Sequence, residues 1–481
     1  SLPAARSGEP VTSGVPIPRN LSLVDLSALR LLDAAGRPVA AQFTPLARWG
    51  GTPADASKPV RWLLIDFQAD VPAGGATTYR LVDSGGPSPA VPMLALTDGA
   101  GALTVDTGVA RFSVSKSDGS LGGPGLSAPL GGRATTPGGA SYVTRGPVTV
   151  SVALGGPLRA SVQVRGAYRD TGGGVLLNHT TRYWFYTGKG TVRVFHTVEN
   201  NNLCPLGEYE ELRCHDIGSG GSVALADLSL VAHPGLGGAL TYRVGTQGAQ
   251  ARGPLVADLV LYQDSSGTDY WDHYATFSDW ESRPLDARPR LQAYVSFRGY
   301  RLRSGATTLA TGNQAPGWLD VTGPAGTWGL ALRDFWQSFP KALRGHADGR
   351  LEAGLFPDEF DPAGYGFSLR AGEHKTHEME LRYVPAGGNA PQCPLEPLFA
   401  QAPPAWYVAS GAFPFLAARD GAGWPDLERY IDHQLDAAPT YEDWMEWFPN
   451  LPAAIEGTDF HGIYDYGDVP LDYEGYHAAP M

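Results

Sequence analysis

The chain has 481 residues, with 43% hydrophobic and 18% charged side chains. It therefore carries enough apolar material for well-buried cores and is too long for one of them. A formal net charge of −13 argues against a nucleic-acid surface. No apolar run is long enough to span a bilayer as a helix. The 62 Gly and 40 Pro, together with 10% aromatics, point to many short strands joined by tight turns rather than to disorder.

Residues 1–92 read as a small β-barrel or sandwich. Leu29 and Leu31 share one face, and Val39, Ala41 and Phe43 alternate after the turn Asp33-Ala-Ala-Gly36-Arg-Pro38, so a hairpin is expected there. The run Trp62 to Phe67 is apolar on both faces, as in a strand covered on both sides. The Pro-rich SGGPSPAVP marks a boundary near residue 92.

Residues 93–390 keep a period of two, in segments such as ALTVDTGVARFSVSK, HTTRYWFYTGKGTVRVFHTVEN and PRLQAYVSFRGYRLRSG. One large central β-sandwich is the expectation. Within it, Tyr183 and Phe185 fall on one face of a strand, Trp184 and Tyr186 on the other. Cys204 and Cys214 lie ten apart, a loop short enough for a disulfide, which leaves Cys393 over. Asn20 and Asn178 fit the glycosylation sequon. Extracellular or periplasmic residence is the expectation.

In residues 391–481 the texture changes. A proline-rich linker precedes Leu427, Tyr430, Ile431 and Leu435, which recur at helical spacing behind Pro425. The terminal run YDYGDVPLDYEGYHAAPM carries Asp465, Asp468, Asp472 and Glu474, oxygen ligands that could hold Ca2+. No other cofactor is suggested, and self-association is left open.

Four clusters could carry chemistry. In GEHKTHEMEL, a strand would place Lys375, His377, Met379, Leu381 and Tyr383 on one side, with His374, Thr376, Glu378, Glu380 and Arg382 on the other. His374 and His377 then cannot chelate one ion, while Lys375 and His377 sit at the mouth of the core, where burial lowers a cation's pKa. Arg333, Trp336, Lys341 and Arg344 of RDFWQSFPKALRGH could line a groove for anionic sugars. Trp271 and Tyr274, in DSSGTDYWDHYATFSDW, offer a carbohydrate-type aromatic surface. Tyr473 and His477, in the terminal run, have the types of an acid/base pair. Each set equally suits packing or a solvated rim.

In order along the chain, SGVPIPRN, LRLLDAAGRPVAAQF, PVRWLLIDFQAD, RDFWQSFPKALR, LFPDEF, GEHKTHEMEL and YDYGDVPLDYEG resemble the exo-rhamnogalacturonan-lyase-like family. The resemblance implies a RIFT-type barrel, a central β-sandwich and an α/α toroid, of which residues 391–481 would hold only the first helices. It also implies β-elimination on an acidic, uronate-containing polysaccharide by a secreted enzyme without a metal. The alternative class is a non-catalytic extracellular β protein that binds glycans or builds an assembly.

Overall fold

A computed structural model describes residues 4–83, 89, 94–202, 221–268, 271, 295–360, 367–388, 395–419 and 423–436, and the backbone of 468–469 and 479–480. The chain is mainly β, with two short helices, Pro404–Ala409 and Pro425–Asp436, among the described residues. Every named strand pairing is antiparallel.

The first part packs two three-stranded sheets face to face. One is Arg6–Pro16, Val60–Val71 and Ala41–Arg48, with the long strand central; the other is Pro38–Val39, Leu29–Leu32 and Arg80–Asp83, with Leu29–Leu32 central. Between them lie Val11, Leu29, Leu31, Leu63, Ile65 and Phe67. The expected hairpin forms because Asp33 accepts the backbone N–H groups of Ala35 and Arg37, both at 2.9 Å, and Gly36 takes a φ of +77°.

The double coverage expected of Trp62 to Phe67 has a specific cause. Leu63, Ile65 and Phe67 fill the barrel core, while the other face is covered by distant chain. Asp66 meets Arg159 of the next part at 2.5 Å, and Trp62 lies against Tyr407 and Phe413. Leu398 and Ala400 also pack on this first core, so the segment after the sandwich returns to the start of the chain.

The second part is one long sheet folded over on itself. Half of it runs Thr241–Thr246, Trp318–Gly323, Gly326–Leu332, His374–Pro385, Thr191–Glu199, Val175–Tyr186, Arg159–Arg169 and Ser141–Leu154. The fold comes where Ser141–Leu154 pairs with Leu126–Thr135, from which the second half continues through Asp227–Pro234, Leu351–Phe356, Lys341–Gly345 and Leu259–Gln263. The inner faces enclose one continuous core that includes Phe112, Tyr168, Phe185, Trp328, Leu343 and Met379. Alternation decides which side chains enter it: Tyr183 and Phe185 do, while Arg182 just before them stays exposed and Trp184 between them is half-buried.

Candidate functional site

Four adjacent strands, Arg159–Arg169, Val175–Tyr186, Thr191–Glu199 and His374–Pro385, set their side chains in rows that cross the sheet. On the outer face the register aligns Ala167, Asn178, Glu199 and His374; then Arg165, Thr180, Thr197 and Thr376; then Gln163, Arg182, Phe195 and Glu378. On the inner face Gly166, His179, Val198 and Lys375 form one row, and Val164, Thr181, His196 and His377 the next.

The outer rows frame an open groove of about 360 Å³, lined by Arg165, Thr180, Arg182, Thr197, Glu199, Asn201, Gly372, Glu373, His374 and Thr376. Arg165 and Arg182 are exposed, and His374 stands exposed at the end of the same face. Arg182 is steadied by Gln163, whose Oε1 accepts from its Nε at 3.2 Å. Thr197 and Thr376 join across the strands at 2.8 Å, and Glu199 accepts from Thr180 at 3.2 Å. One end of the groove is closed by the turn at Gly372, whose N–H donates to Asn200, and Arg370 N–H donates to Glu373. Further along the same face Trp184 and Phe195 pack with tilted rings, 4.6 Å between centroids, and the Arg159 guanidinium covers Trp184 at 4.4 Å. The lining thus combines two guanidinium groups, a histidine and rows of hydroxyls with two carboxylates, Glu199 and Glu373.

The inner rows are a buried polar chain. Tyr168 Oη and His196 Nε2 are 2.7 Å apart, His196 Nδ1 and Thr181 Oγ1 2.8 Å, and Thr181 Oγ1 and His179 Nδ1 3.1 Å. Burial depresses all the imidazoles concerned: His179 falls to about 4 and His196 lies well below the ordinary histidine value, with His179 adding to the effect on His196. Burial also holds the Tyr168 hydroxyl well above its usual range.

GEHKTHEMEL forms a strand with the expected alternation: His377, Met379 and Leu381 are buried in the core, and His374 and Thr376 are exposed. Lys375 is half-buried on the inner side. His377 is 5% exposed, stands edge-on to Phe356, and is held well below its ordinary pKa by burial, then by Lys341 and Lys375. The pair Lys375 and His377 thus points away from the groove, and the groove histidine is His374.

The arginine and lysine cluster disperses. Arg333 is half-buried, pairs with Glu378 at 2.8 Å and sits 5.7 Å from the Phe399 ring, while Trp336 is half-buried. Lys341 is 2% exposed and donates to the carbonyls of Ser338 and Pro340 at 2.7 and 3.2 Å. Arg344 is buried among Glu352, Asp358 and Glu359. Lys341 and Arg344 therefore line no sugar surface here: their strand, Lys341–Gly345, lies in the second half of the sheet and is buried throughout.

Trp271 is half-buried; Tyr274, Tyr473, His477, Asp465, Asp472, Cys204 and Cys214 lie outside the described residues, as does the side chain of Asp468. No group of three or more His, Cys, Asp or Glu that could hold a metal ion occurs among the described residues. No helix among them is long and apolar enough to cross a membrane. Sequence reasoning missed Arg165, Arg182 and Glu199; their only signal was a polar face on otherwise apolar alternating strands.

No family model matches the chain, and no curated protein matches its sequence. Solved structures do. An α-mannosidase from Enterococcus faecalis V583 is 11% identical, with a TM-score of 0.38, over 79% of this chain and 42% of that one. A GH36 α-galactosidase from Geobacillus stearothermophilus is 10% identical, with a TM-score of 0.33, over 60% of this chain and 41% of its own. A putative aldose 1-epimerase from Escherichia coli K12 is 12% identical, with a TM-score of 0.27, over 61% of this chain and 99% of that one. The chain spans less than half the length of the mannosidase and of the galactosidase.

Proposed function

We propose that this protein is an exported polysaccharide lyase of the rhamnogalacturonan type, which cleaves a uronate-containing glycan by β-elimination over the outer sheet face. The observation that carries the reading is the groove in which Arg165 and Arg182 stand exposed on the same face as His374. The ordered motifs that resemble the lyase-like family support the same reaction.

The chemistry asks for little more. An arginine paired with the uronate carboxylate withdraws charge as the C5 proton leaves, which lowers the barrier to the enolate-like intermediate. His374, as the neutral imidazole, takes that proton. The C4–O bond then breaks as the C4–C5 double bond forms, and the imidazolium returns its proton to the departing oxygen. One histidine serves both steps when proton and leaving group lie on the same face of the ring.

A second reading, a non-catalytic glycan-binding subunit, is favoured by Glu199 and Glu373 in the same lining. Two arginines against two glutamates leave little net positive charge to acidify the proton.

The test is ultraviolet absorbance of the unsaturated uronate on incubation with pectic, ulvan-like and glucuronan substrates. Arg165→Ala, Arg182→Ala and His374→Ala should each lower kcat/KM about 10–100-fold, the loss expected for one charge-assisted contact. Their melting temperatures should stay near wild type, since all three side chains are exposed. Binding that persists with no product from any substrate selects the second reading.

A further inference from the structure

The inner face of the His374–Pro385 strand holds groups that the groove does not use. Lys341 and His377 both lie against the ring of Phe356, the ammonium 5.9 Å and the imidazole 5.5 Å from its centre. Lys375, two residues along from His377 on the same face, completes the group. Both Lys341 and His377 are buried, at 2% and 5% exposure.

Their partners are few. Lys341 spends two of its three N–H donors on the Ser338 and Pro340 carbonyls. His377 Nε2 is buried with no hydrogen-bond partner among the described residues. No carboxylate among those residues pairs with Lys341 or His377, and the charges that bear on them are cationic: Lys375 on Lys341, and both lysines on His377. A buried ammonium without a counter-charge costs several kcal/mol, and an unpaired buried imidazole nitrogen adds to that cost. An anion between them offsets both.

We propose that this inner end of the sandwich is an anion-binding site, in which Lys341, Lys375 and His377 take one small oxyanion, a carboxylate or a phosphate. It is separate from the groove: the two sites lie on opposite faces of one strand, with Lys375 and His377 inside and His374 and Thr376 outside. The inner site recognises charge by convergence of a lysine N–H, the imidazole Nε2 and a half-buried lysine at its mouth.

The experiment is a thermal-shift titration of the full chain with acetate, a carboxylate that carries no sugar ring for the groove, and, separately, inorganic phosphate, at constant ionic strength set by NaCl. Saturable stabilisation by either anion is expected, and the stronger one identifies the source. Lys375→Gln and His377→Gln should weaken the apparent Kd at least about tenfold, the loss of one charge-assisted hydrogen bond. Lys375 is half-buried, so that variant is expected to fold even if His377→Gln does not. Arg165→Ala serves as the groove control and should leave the titration unchanged. The proposal is overturned if neither anion gives a saturable shift, or if the shift survives in Lys375→Gln and disappears in Arg165→Ala. Neither result bears on product formation in the groove, so the two sites fail independently.

Discussion

Mild acid should loosen this protein, and His179 gives the measure. In the folded chain burial holds it at about 4, against 6.5 as the ordinary value. A lowered histidine pKa means that the unfolded chain binds the proton first. Stability from that group is therefore full above pH 6.5 and is lost as pH falls towards 4. Between pH 7 and pH 5 the loss is about 2 kcal/mol for His179 alone. His196 and His377, buried at 1% and 5% exposure and also held well below the ordinary value by burial, act in the same direction. Even the His179 share is a sizeable fraction of the stability of a typical domain. Urea unfolding followed by tryptophan fluorescence at pH 7, 6 and 5 reads it directly. His179→Gln removes one titrating ring while keeping a polar side chain for Thr181. Its stability should fall with pH less steeply than wild type, by about 1 kcal/mol per pH unit. Parallel wild-type and variant curves would refute the argument.

Glu352→Gln should cost about 3–5 kcal/mol, because it leaves Arg344 and Arg133 short of a buried partner. Against the cost of burial, His346, Arg344 and Arg133 hold the Glu352 carboxyl down to about 2. Its contribution is present above pH 4.5 and disappears as pH falls towards 2, a second acid limb that calorimetric melting at pH 5, 4 and 3 should show in wild type and not in the variant. Gly119→Ala should lower the melting temperature through a loss of about 2–4 kcal/mol. Gly119 has a φ of +76°, and a Cβ there would meet Val164 Cγ1 at 2.3 Å. Asp66→Ala strands the buried Arg159 guanidinium at the junction of barrel and sandwich. A loss of about 3–5 kcal/mol is expected, with limited proteolysis cutting the barrel first.

What the sequence made legible was periodicity. The Asp33 hairpin, the double-faced Trp62 to Phe67 strand and the two sides of GEHKTHEMEL all follow from one side chain's position relative to the next, which a strand fixes every second residue. Partners far along the chain leave no such trace. Nothing near Arg344 announces that Glu352 and Glu359 will surround it, so a cationic cluster read as a groove became a buried ion network. The groove was hidden for the converse reason. Arg165, Arg182, Glu199 and His374 come from four strands, and only the pairing register brings them into neighbouring rows.

The return of the chain to its own beginning sets an order of assembly. Ser13 Oγ donates to the carbonyl of Ala400, and Trp406 Nε1 to that of Pro16, contacts that span 387 and 390 residues. Leu398 and Ala400 seal the first core from the same segment. At a synthesis rate of about 5–20 residues per second, the barrel waits roughly 20–80 s for its last pieces. Until then Leu63, Ile65 and Phe67 lie beneath an incomplete wall, beside a sandwich whose own core is still being made. Of these two parts the one synthesised earlier is thus the one that closes later, and factors that shield nascent strands have their longer task there.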